Sequence, residues 1–300
     1  MAGLAKDQVK KYLDDGFLFP LRAMDAATSR AYREQLEQLE KHYVSAGPKR
    51  DLNQYFRVNA HIVMPMAVEL ARNPIILDAI ESIIGPDILI WGVEFFIKEA
   101  KSDKIVSWHQ DMTYWGLGED VSGDTEHLAS AWVALSPATL ASGCMKFVAG
   151  SHKNEIQPHN DTFGEDNLLS RGQELAVEVD PADEVPIELQ PGEFSIHHGR
   201  MFHYSGPNLS NDRRIGCVIR YVSPEIKQLV GSRDYAMLLR GVDEKQNWIN
   251  VAPPAYDFEP RALELYERVL SDQAAALTEG AEDVALYAGD EDVNVVQPVQ

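Results

Sequence analysis

A chain of 300 residues with 45% hydrophobic residues is long enough to fold around a sizeable core, so we expect a globular protein. Its 27 Lys and Arg residues against 47 Asp and Glu residues give a net charge of −20, which disfavours binding to nucleic acids and to anionic membranes. The sequence shows no secretory signal and no apolar run of about 18 residues, the length that a membrane-spanning helix needs. Cys144 and Cys217 lie in apolar runs, as expected for free thiols in the reducing cytoplasm.

The first part of the chain, residues 1–85, is predicted to be mainly helical. Apolar residues recur at roughly helical spacing over residues 4–13, 24–42 and 62–84. Such spacing places the apolar side chains on one face of each helix, and we expect these faces to pack against a sheet.

The middle part, residues 86–223, is predicted to be a β-core. It contains seven short apolar runs rich in Ile, Val, Phe and Trp, separated by turn signals such as Pro191-Gly192. The runs are DILIWGVEFFIKEA, HLASAWVALS, CMKFVAGS, ELAVEV, VPIEL, EFSIHHG and RRIGCVIRYVS. This number of runs argues for a β-barrel or sandwich, and an antiparallel jelly roll is a natural fit.

The last part of the chain is predicted to contain one helix, over residues 260–277. The tail at residues 279–300 is acidic and poorly patterned, and we expect it to be mobile. No repeat or linker divides the chain, so residues 1–278 are predicted to form a single domain.

The first candidate for chemistry is the segment SWHQDMTYW, in which His109 and Asp111 are two residues apart. In extended backbone, residues i and i+2 point to the same face, so an imidazole and a carboxylate can bind one ion there. Two ligands alone bind weakly. A third is expected from a distant strand on the opposite wall.

His203, in HHGRMFHYSGPN, is the predicted third ligand, because it lies where one predicted strand ends and a turn begins. Two His and one carboxylate leave three coordination positions open, which suits iron(II) that must also hold a co-substrate and dioxygen. Zinc enzymes more often use three His, or His with Cys or Glu. His197 and His198 are rival third ligands, but strand alternation would turn only one of them inward.

A second His-x-Asp copy, His159-Asn160-Asp161, shows that this spacing alone proves little. It lies beside a proline and away from any apolar run, so it is predicted to be a loop. We therefore favour the pair at 109 and 111 as metal ligands, while His159 stays a candidate for the substrate site.

Arg214 lies early in the strand predicted to follow His203. A buried guanidinium there is costly unless an anion pairs with it, and its fork matches a carboxylate. The distal carboxylate of 2-oxoglutarate would satisfy it. The alternative is an ordinary surface arginine, a role that strand alternation assigns more readily to Arg213.

Several segments of the chain resemble the phytanoyl-CoA dioxygenase family of iron(II)- and 2-oxoglutarate-dependent oxygenases. They are WHQD at 108–111, AWVALSPATLASGCMKFVAGSH at 131–152, PGEFSIHHGRMFHYSGPN at 191–208, DRRIGCVIRY at 212–221, and the opening DDGFLFP at 14–20. The resemblance implies a double-stranded β-helix, which is a cupin-like jelly roll, mainly β with flanking α-helices. It also implies iron binding by His109, Asp111 and His203, and contact of Arg214 with 2-oxoglutarate.

The resemblance further implies that Lys98 and Trp132 line the co-substrate pocket, although a solvated lysine and a core tryptophan are the plain alternatives. An acyl-CoA substrate is not expected, because a nucleotide with several phosphates needs a Lys and Arg cluster that this acidic chain does not show. Similar enzymes that halogenate have a small residue in place of the carboxylate ligand, the position that Asp111 occupies here.

Together these features predict a dioxygenase that hydroxylates a C–H bond of a small-molecule substrate and releases succinate and carbon dioxide, with Fe(II), 2-oxoglutarate and dioxygen as cofactors. Desaturation, epimerisation or ring formation would use the same ligands. The competing interpretations are a non-redox zinc-binding cupin-like protein, a degenerate small-molecule binder, and an interaction scaffold that uses the acidic surface.

The substrate is predicted to meet Tyr114 and Trp115, which follow the metal motif and offer an aromatic wall for an apolar or cationic group. His159 and Arg200 are further candidates for substrate contacts. Arg200 or Arg171 would bind a carboxylate or phosphonate, unless these arginines are ordinary surface charges.

Overall fold

The computed structural model describes residues 3–43, 49–113, 115–118, 127–162, 166–169 and 173–278. The predicted tail at 279–300 lies outside these ranges, as do Tyr114 and Arg171. Within them, none of the helices combines the length and the apolar character needed to span a lipid bilayer.

Seven α-helices occur in the described part. They are α1 (Lys6–Asp15), α2 (Ala26–Tyr43), α3 (Leu52–Arg57), α4 (Ala60–Val63), α5 (Pro65–Ala71), α6 (Pro74–Ile84) and α7 (Pro260–Thr278). The helix predicted over residues 62–84 is divided, because a proline opens both α5 and α6 and cannot continue a preceding helix. Asn73 caps α6 by accepting hydrogen bonds from the backbone N–H groups of Ile75 and Ile76.

The strands of the described part include the predicted apolar runs and several shorter segments. They are β1 (Phe17–Arg22), β2 (Ile88–Lys98), β3 (Val106–His109), β4 (Leu117–Gly118), β5 (Leu128–Ala134), β6 (Met145–Val148), β7 (His159–Asp161), β8 (Gln173–Leu175), β9 (Glu184–Ile187), β10 (Glu193–His197), β11 (His203–Ser205), β12 (Arg214–Val222), β13 (Lys227–Gln228), β14 (Tyr235–Arg240) and β15 (Ile249–Asn250).

Two main sheets, mostly antiparallel, form the β-core. The larger has the strand order β1-β10-β5-β12-β2-β14-β15, and the smaller has the order β3-β11-β6-β9. The β-core therefore extends beyond the predicted residues 86–223, since β1, β14 and β15 complete the larger sheet. The run ELAVEV is a strand only in its first residues, where β8 pairs with β7.

Side-chain alternation along β12 divides the larger sheet into an outer and an inner face. Ile215, Cys217, Ile219 and Tyr221 belong to the core cluster that the flanking helices cover. The alternate positions include Arg214, Val218 and Arg220, which line a cavity on the inner face. This follows from the two-residue period of a strand, and it explains how one strand serves both the core and a polar site.

The main core lies between the outer face of the larger sheet and the helices. Phe56 of α3 and Ile62 of α4 pack in one cluster with Val93 and Phe95 of β2. The same cluster contains residues from near both ends of the described part, Tyr12 to Leu270. This continuity supports the proposal of one domain over residues 1–278.

Candidate metal centre

His109 is the last residue of β3, whereas Asp111 begins a one-turn 3-10 helix, Asp111–Thr113. The expectation that alternation along a single strand brings them together is therefore wrong for Asp111. The chain turns directly after the strand instead, and His109 Nε2 lies 3.3 Å from Asp111 Oδ1. The turn is tied to the neighbouring segment by a hydrogen bond of 3.1 Å from the Met112 backbone N–H to the Gly199 carbonyl.

His203 opens β11, which pairs with β3 so that His203 stands directly opposite His109. Its Nε2 lies 3.8 Å from Asp111 Oδ1. One ligand atom from each of the three residues lies within 4.8 Å of the other two, so they can surround one metal ion. Two imidazoles and a carboxylate form the ligand set of mononuclear non-heme iron(II) sites with open positions.

The tautomers of both imidazoles follow from their backbone contacts. His109 Nδ1 lies 2.8 Å from the Ser107 carbonyl, and His203 Nδ1 lies 3.0 Å from the Met201 carbonyl. Because a carbonyl oxygen only accepts, each Nδ1 carries the proton and donates it. Each Nε2 therefore presents its lone pair to the centre of the group, which is the second-shell arrangement found around metal-binding histidines.

Burial and neighbouring charges shift the pKa values of His203 and Asp111. Burial lowers the pKa of His203 to about 3, and repulsion by His109 adds to the effect. Burial alone would raise the pKa of Asp111, but His203, His109 and Arg220 together hold it well below its usual range. A neutral His203 beside an ionised Asp111 is the form that binds a divalent cation.

Gln110 lies between His109 and Asp111 in the chain. It is hydrogen-bonded to His159, which belongs to the second His-x-Asp copy. His159 Nε2 accepts the Gln110 backbone N–H at 3.0 Å, and the Gln110 side-chain amide donates to the Arg200 carbonyl at 3.0 Å. The predicted loop at His159 is instead the short strand β7, stabilised by its pairing with β8. His159 and Arg200 thus contact the segment that carries Asp111, and neither is among the described residues that line the cavity.

The rival histidines separate as strand alternation requires. His197, at the end of β10, lines the cavity, and its ring centroid is 5.4 Å from that of His203. It is not part of the three-residue group. His198 packs against His152 instead, with ring centroids 5.4 Å apart.

The three residues of the group line a cavity of about 200 Å³ between the two main sheets. Arg214 lies in the same cavity and is only 1% exposed. Its Nη1 donates to the Gly143 carbonyl at 2.9 Å and to Ser205 Oγ at 3.1 Å, while its buried Nε has no partner in the described part. The guanidinium carbon is 5.3 Å from the centre of the Trp132 ring. No described carboxylate pairs with Arg214, so its charge is available to an anion.

Lys98 is a second buried basic residue, and β2 places it directly opposite Arg214. Its ammonium group donates to the Ser205 carbonyl at 2.9 Å, to Ser205 Oγ at 2.7 Å and to the Gly206 carbonyl. Burial, reinforced by repulsion from Arg214, lowers the pKa of Lys98 to about 6. Lys98 is not among the described residues that line the cavity, and its lowered pKa leaves it largely uncharged at neutral pH, so Arg214 offers the positive charge at this end of the cavity.

The other end of the cavity combines aromatic rings with an ion pair. Trp115 packs on Trp91 with ring centroids 5.1 Å apart, and the Arg220 guanidinium lies 4.9 Å from the Trp115 ring centre. Arg220 also pairs with Glu94, with 2.6 Å between Nη1 and Oε1. The structure thus places Trp115 on the cavity wall, where an aromatic contact was predicted.

Sequence reasoning missed several polar residues of the cavity. Arg220 could have been predicted from strand alternation, because it lies on the same strand face as Arg214 and Val218. Arg57, at the end of α3, and Asp234, just before β14, carry no local signal. Their positions depend on how distant elements pack.

Comparison with known proteins identifies the relatives of this site and fold. The sequence profile described as phytanoyl-CoA dioxygenase (PhyH) matches residues 12–216, more than half of the chain. The chain belongs to the phytanoyl-CoA dioxygenase family. This family member is similar to a probable alpha-ketoglutarate-dependent hypophosphite dioxygenase of Stutzerimonas stutzeri, with 24% identity over 76% of this chain and 82% of that protein.

Solved structures share the fold of this family member. The non-heme monooxygenase ThoJ, in its apo form, is 31% identical, with a TM-score of 0.80 over 91% of this chain and 98% of that chain. The structure titled CytC3 with Fe(II) and alpha-ketoglutarate is 20% identical, with a TM-score of 0.64 over 86% of this chain and 97% of that chain, which shows a shared fold. The predicted family, the double-stranded β-helix fold and the dioxygenase class are thereby confirmed.

Proposed function

We propose that this dioxygenase hydroxylates a C–H bond of a small-molecule substrate, using Fe(II), 2-oxoglutarate and dioxygen. The observation that carries the proposal is the occurrence, in one buried cavity, of the His109, Asp111 and His203 group together with Arg214. The group offers three ligands on one side of an ion, and the arginine offers a charge that no described carboxylate neutralises.

The chain's own residues fit the metal. The imidazoles of His109 and His203 and the ionised carboxylate of Asp111 bring three ligand atoms together, as a divalent cation requires. The backbone carbonyls of Ser107 and Met201 fix both rings, which limits the reorganisation needed on binding. These three residues would hold the iron.

Arg214 fits the distal carboxylate of 2-oxoglutarate. Its guanidinium is held in place by Gly143 and Ser205, and Trp132 covers its flat face. Lys98 shares Ser205 with Arg214 as a hydrogen-bond partner, and an anion bound at Arg214 would favour the charged form of the lysine. A bidentate, charge-assisted contact from Arg214 would therefore orient the co-substrate towards the metal ligands.

When bound, iron and 2-oxoglutarate supply the oxidising chemistry: dioxygen and the oxo acid are consumed, succinate and carbon dioxide are released, and one C–H bond of the substrate becomes C–OH. The protein would limit the access of bulk water to this chemistry, because His109, His203 and Arg214 are buried. The aromatic rings of Trp91 and Trp115 would position the substrate within the same cavity.

The decisive experiment is an anaerobic titration of the metal-free protein with Fe(II) and then 2-oxoglutarate. We expect one iron per chain and a weak visible charge-transfer band that appears only when both are present. Admission of air should then produce succinate, and substrate screening by succinate release should identify stimulating compounds. Zinc binding without such a band would favour the non-redox cupin-like alternative, and absence of metal binding would favour a degenerate binder.

A further inference from the structure

Arg57 is a cavity residue that the proposed chemistry does not use. It is the last residue of α3 and reaches the cavity from outside the two main sheets. Its guanidinium carbon lies 4.3 Å from the centre of the Phe96 ring, which also lines the cavity. Arg57 therefore shares one space with the metal ligands although no strand carries it.

The polar contacts of Arg57 leave its charge unpaired. One Nη atom donates to the Leu168 carbonyl at 2.6 Å, while the buried Nε has no partner in the described part. No ion pair joins Arg57 to a carboxylate of the described ranges. Burial lowers the pKa of Arg57, and the more distant charge of Glu94 offsets only part of this effect. A buried guanidinium in this state lacks the anion that would compensate its desolvation.

The carboxylates nearest to the cavity are already engaged. Glu94 forms two contacts with Arg220, at 2.6 Å and 3.2 Å. Asp111 belongs to the metal group. Asp234 is surrounded by N–H donors, since it accepts from Trp91 Nε1 at 2.6 Å and from other nearby groups. Arg214 of the co-substrate site aside, Arg57 is thus the cation of the described cavity lining that pairs with no described carboxylate.

We propose that Arg57 binds the anionic group of the substrate, so that the enzyme acts on a small organic acid, a carboxylate or phosphonate. This inference rests on the proposed function, because it assigns the substrate class of the same cavity. The guanidinium group can form two parallel hydrogen bonds with either anion. The Phe96 ring restricts the orientation of the guanidinium through a cation–π contact. Trp91 and Trp115 supply an apolar wall for the rest of the molecule.

Arg57 differs from the co-substrate cations in its surroundings. Arg214 and Lys98 share Ser205 as a hydrogen-bond partner and form one site on adjacent strands. No hydrogen bond joins Arg57 to either of them, although its charge contributes to the lowered pKa of Arg214, and its anchors are Phe96 and Leu168. Two separate anion sites in one cavity fit a dicarboxylate co-substrate at one and an acidic substrate at the other.

The test uses the anaerobic protein loaded with Fe(II) and saturating 2-oxoglutarate, which keeps the Arg214 site filled. Tryptophan fluorescence, to which Trp91 and Trp115 contribute from the cavity wall, reports binding of two matched pairs of probes: acetate with acetamide, and benzoate with benzamide. We expect the acid of at least one pair to bind at least about tenfold more tightly than its amide. Arg57→Gln should abolish this preference, and Arg57→Lys should keep part of it.

The control is Arg50→Gln, which removes an arginine that lies outside the cavity and pairs with Glu267 at 2.7 Å. It should keep the preference for acids, and the charge-transfer band should give a similar 2-oxoglutarate affinity in all four proteins. The inference would be overturned if the wild type bound acids and amides equally, or if the preference for acids survived in Arg57→Gln. In either case, a charge-transfer band would still support the proposed function. Loss of 2-oxoglutarate affinity in Arg57→Gln would also overturn the inference and assign Arg57 to the co-substrate. Absence of the band would instead contradict the proposed function.

Discussion

Arg213 and Arg214 are neighbours in sequence, but they lie in opposite electrostatic surroundings. The Arg213 guanidinium contacts Glu40 at 2.7 Å and Glu99 at 2.8 Å on the outer side of the sheet. Arg214 points into the cavity, where its partners are the neutral oxygens of Gly143 and Ser205. A cation that is paired within the protein stabilises the fold, whereas a buried cation that is left without a counter-charge is poised to bind one.

The same contrast separates the two faces of β12 along its whole length. On the outer face, apolar side chains such as Cys217 and Tyr221 pack under the helices. On the inner face, Arg214 and Arg220 occupy positions where a core would normally be apolar. The outer face therefore contributes stability. On the inner face Arg220 is neutralised by Glu94, whereas Arg214 has no carboxylate partner in the described part and is free to bind an anion.

The largest expected effect comes from removing the metal ligands on the inner side. His109→Ala, Asp111→Ala and His203→Ala should each reduce succinate formation to background, because two remaining ligands bind iron weakly. Fe(II) titration and succinate assays measure this, with the exposed His42→Ala as a control that keeps both. His159→Ala should weaken iron binding by only about tenfold, since His159 acts through the Gln110 backbone. Full activity in any of the three ligand variants would contradict the assignment.

The second effect tests the two arginines directly. Arg214→Gln should raise the Michaelis constant for 2-oxoglutarate by an amount equivalent to about 2–5 kcal/mol, the cost of truncating a buried charge pair. Iron affinity should change little. Arg213→Gln should leave the Michaelis constant unchanged and lower the free energy of unfolding by about 1 kcal/mol, because it removes partly exposed ion pairs. The reverse pattern would mean that the co-substrate site lies on the other face.

A third effect concerns packing on the inner face beneath Arg214. A Cβ at Gly216 would lie 1.8 Å from Cζ2 of Trp132, so Gly216→Ala must displace that ring. We expect a loss of about 1–3 kcal/mol in the free energy of unfolding, measured in urea. Gly92→Ala on β2 is the matched control, because its new Cβ would meet its nearest atom at 3.6 Å, an ordinary contact. Equal losses in the two variants would show that Trp132 yields easily and does not hold the Arg214 side chain.

The smallest effect is a pH dependence assigned to Lys98, whose pKa is lowered to about 6 by burial and by Arg214. An anion bound at Arg214 favours the charged ammonium, so above pH 6 binding must take up a proton. The affinity for 2-oxoglutarate should therefore fall as the pH rises from about 6.5 to about 8.5, by no more than about tenfold per pH unit. Lys98→Met should flatten this slope in anaerobic titrations of the charge-transfer band. An unchanged slope would assign the pH dependence to another group.

The fold was predictable where the signal is local. The apolar runs around β2 and β12 are long and rich in β-branched residues, so their strands appear where expected. The two-residue strand β15 carries too little local signal, and its pairing with β14 decides that it is a strand; β1 joins the sheet through its pairing with the distant β10. The division of residues 62–84 into several helices was also readable, since Pro65 and Pro74 stand in the sequence.

The sequence by itself determined the ligand types, the family and the face of β12 that carries Arg214, because ligand identity is chemical and strand alternation is a local geometric property. Only the tertiary structure decided that a 3-10 turn, rather than strand alternation, brings Asp111 to His109. It also decided that Arg57 enters the cavity and Arg200 does not. The physical reason is that a cavity is formed by elements far apart in the chain, so its lining is set by their packing and not by neighbouring residues.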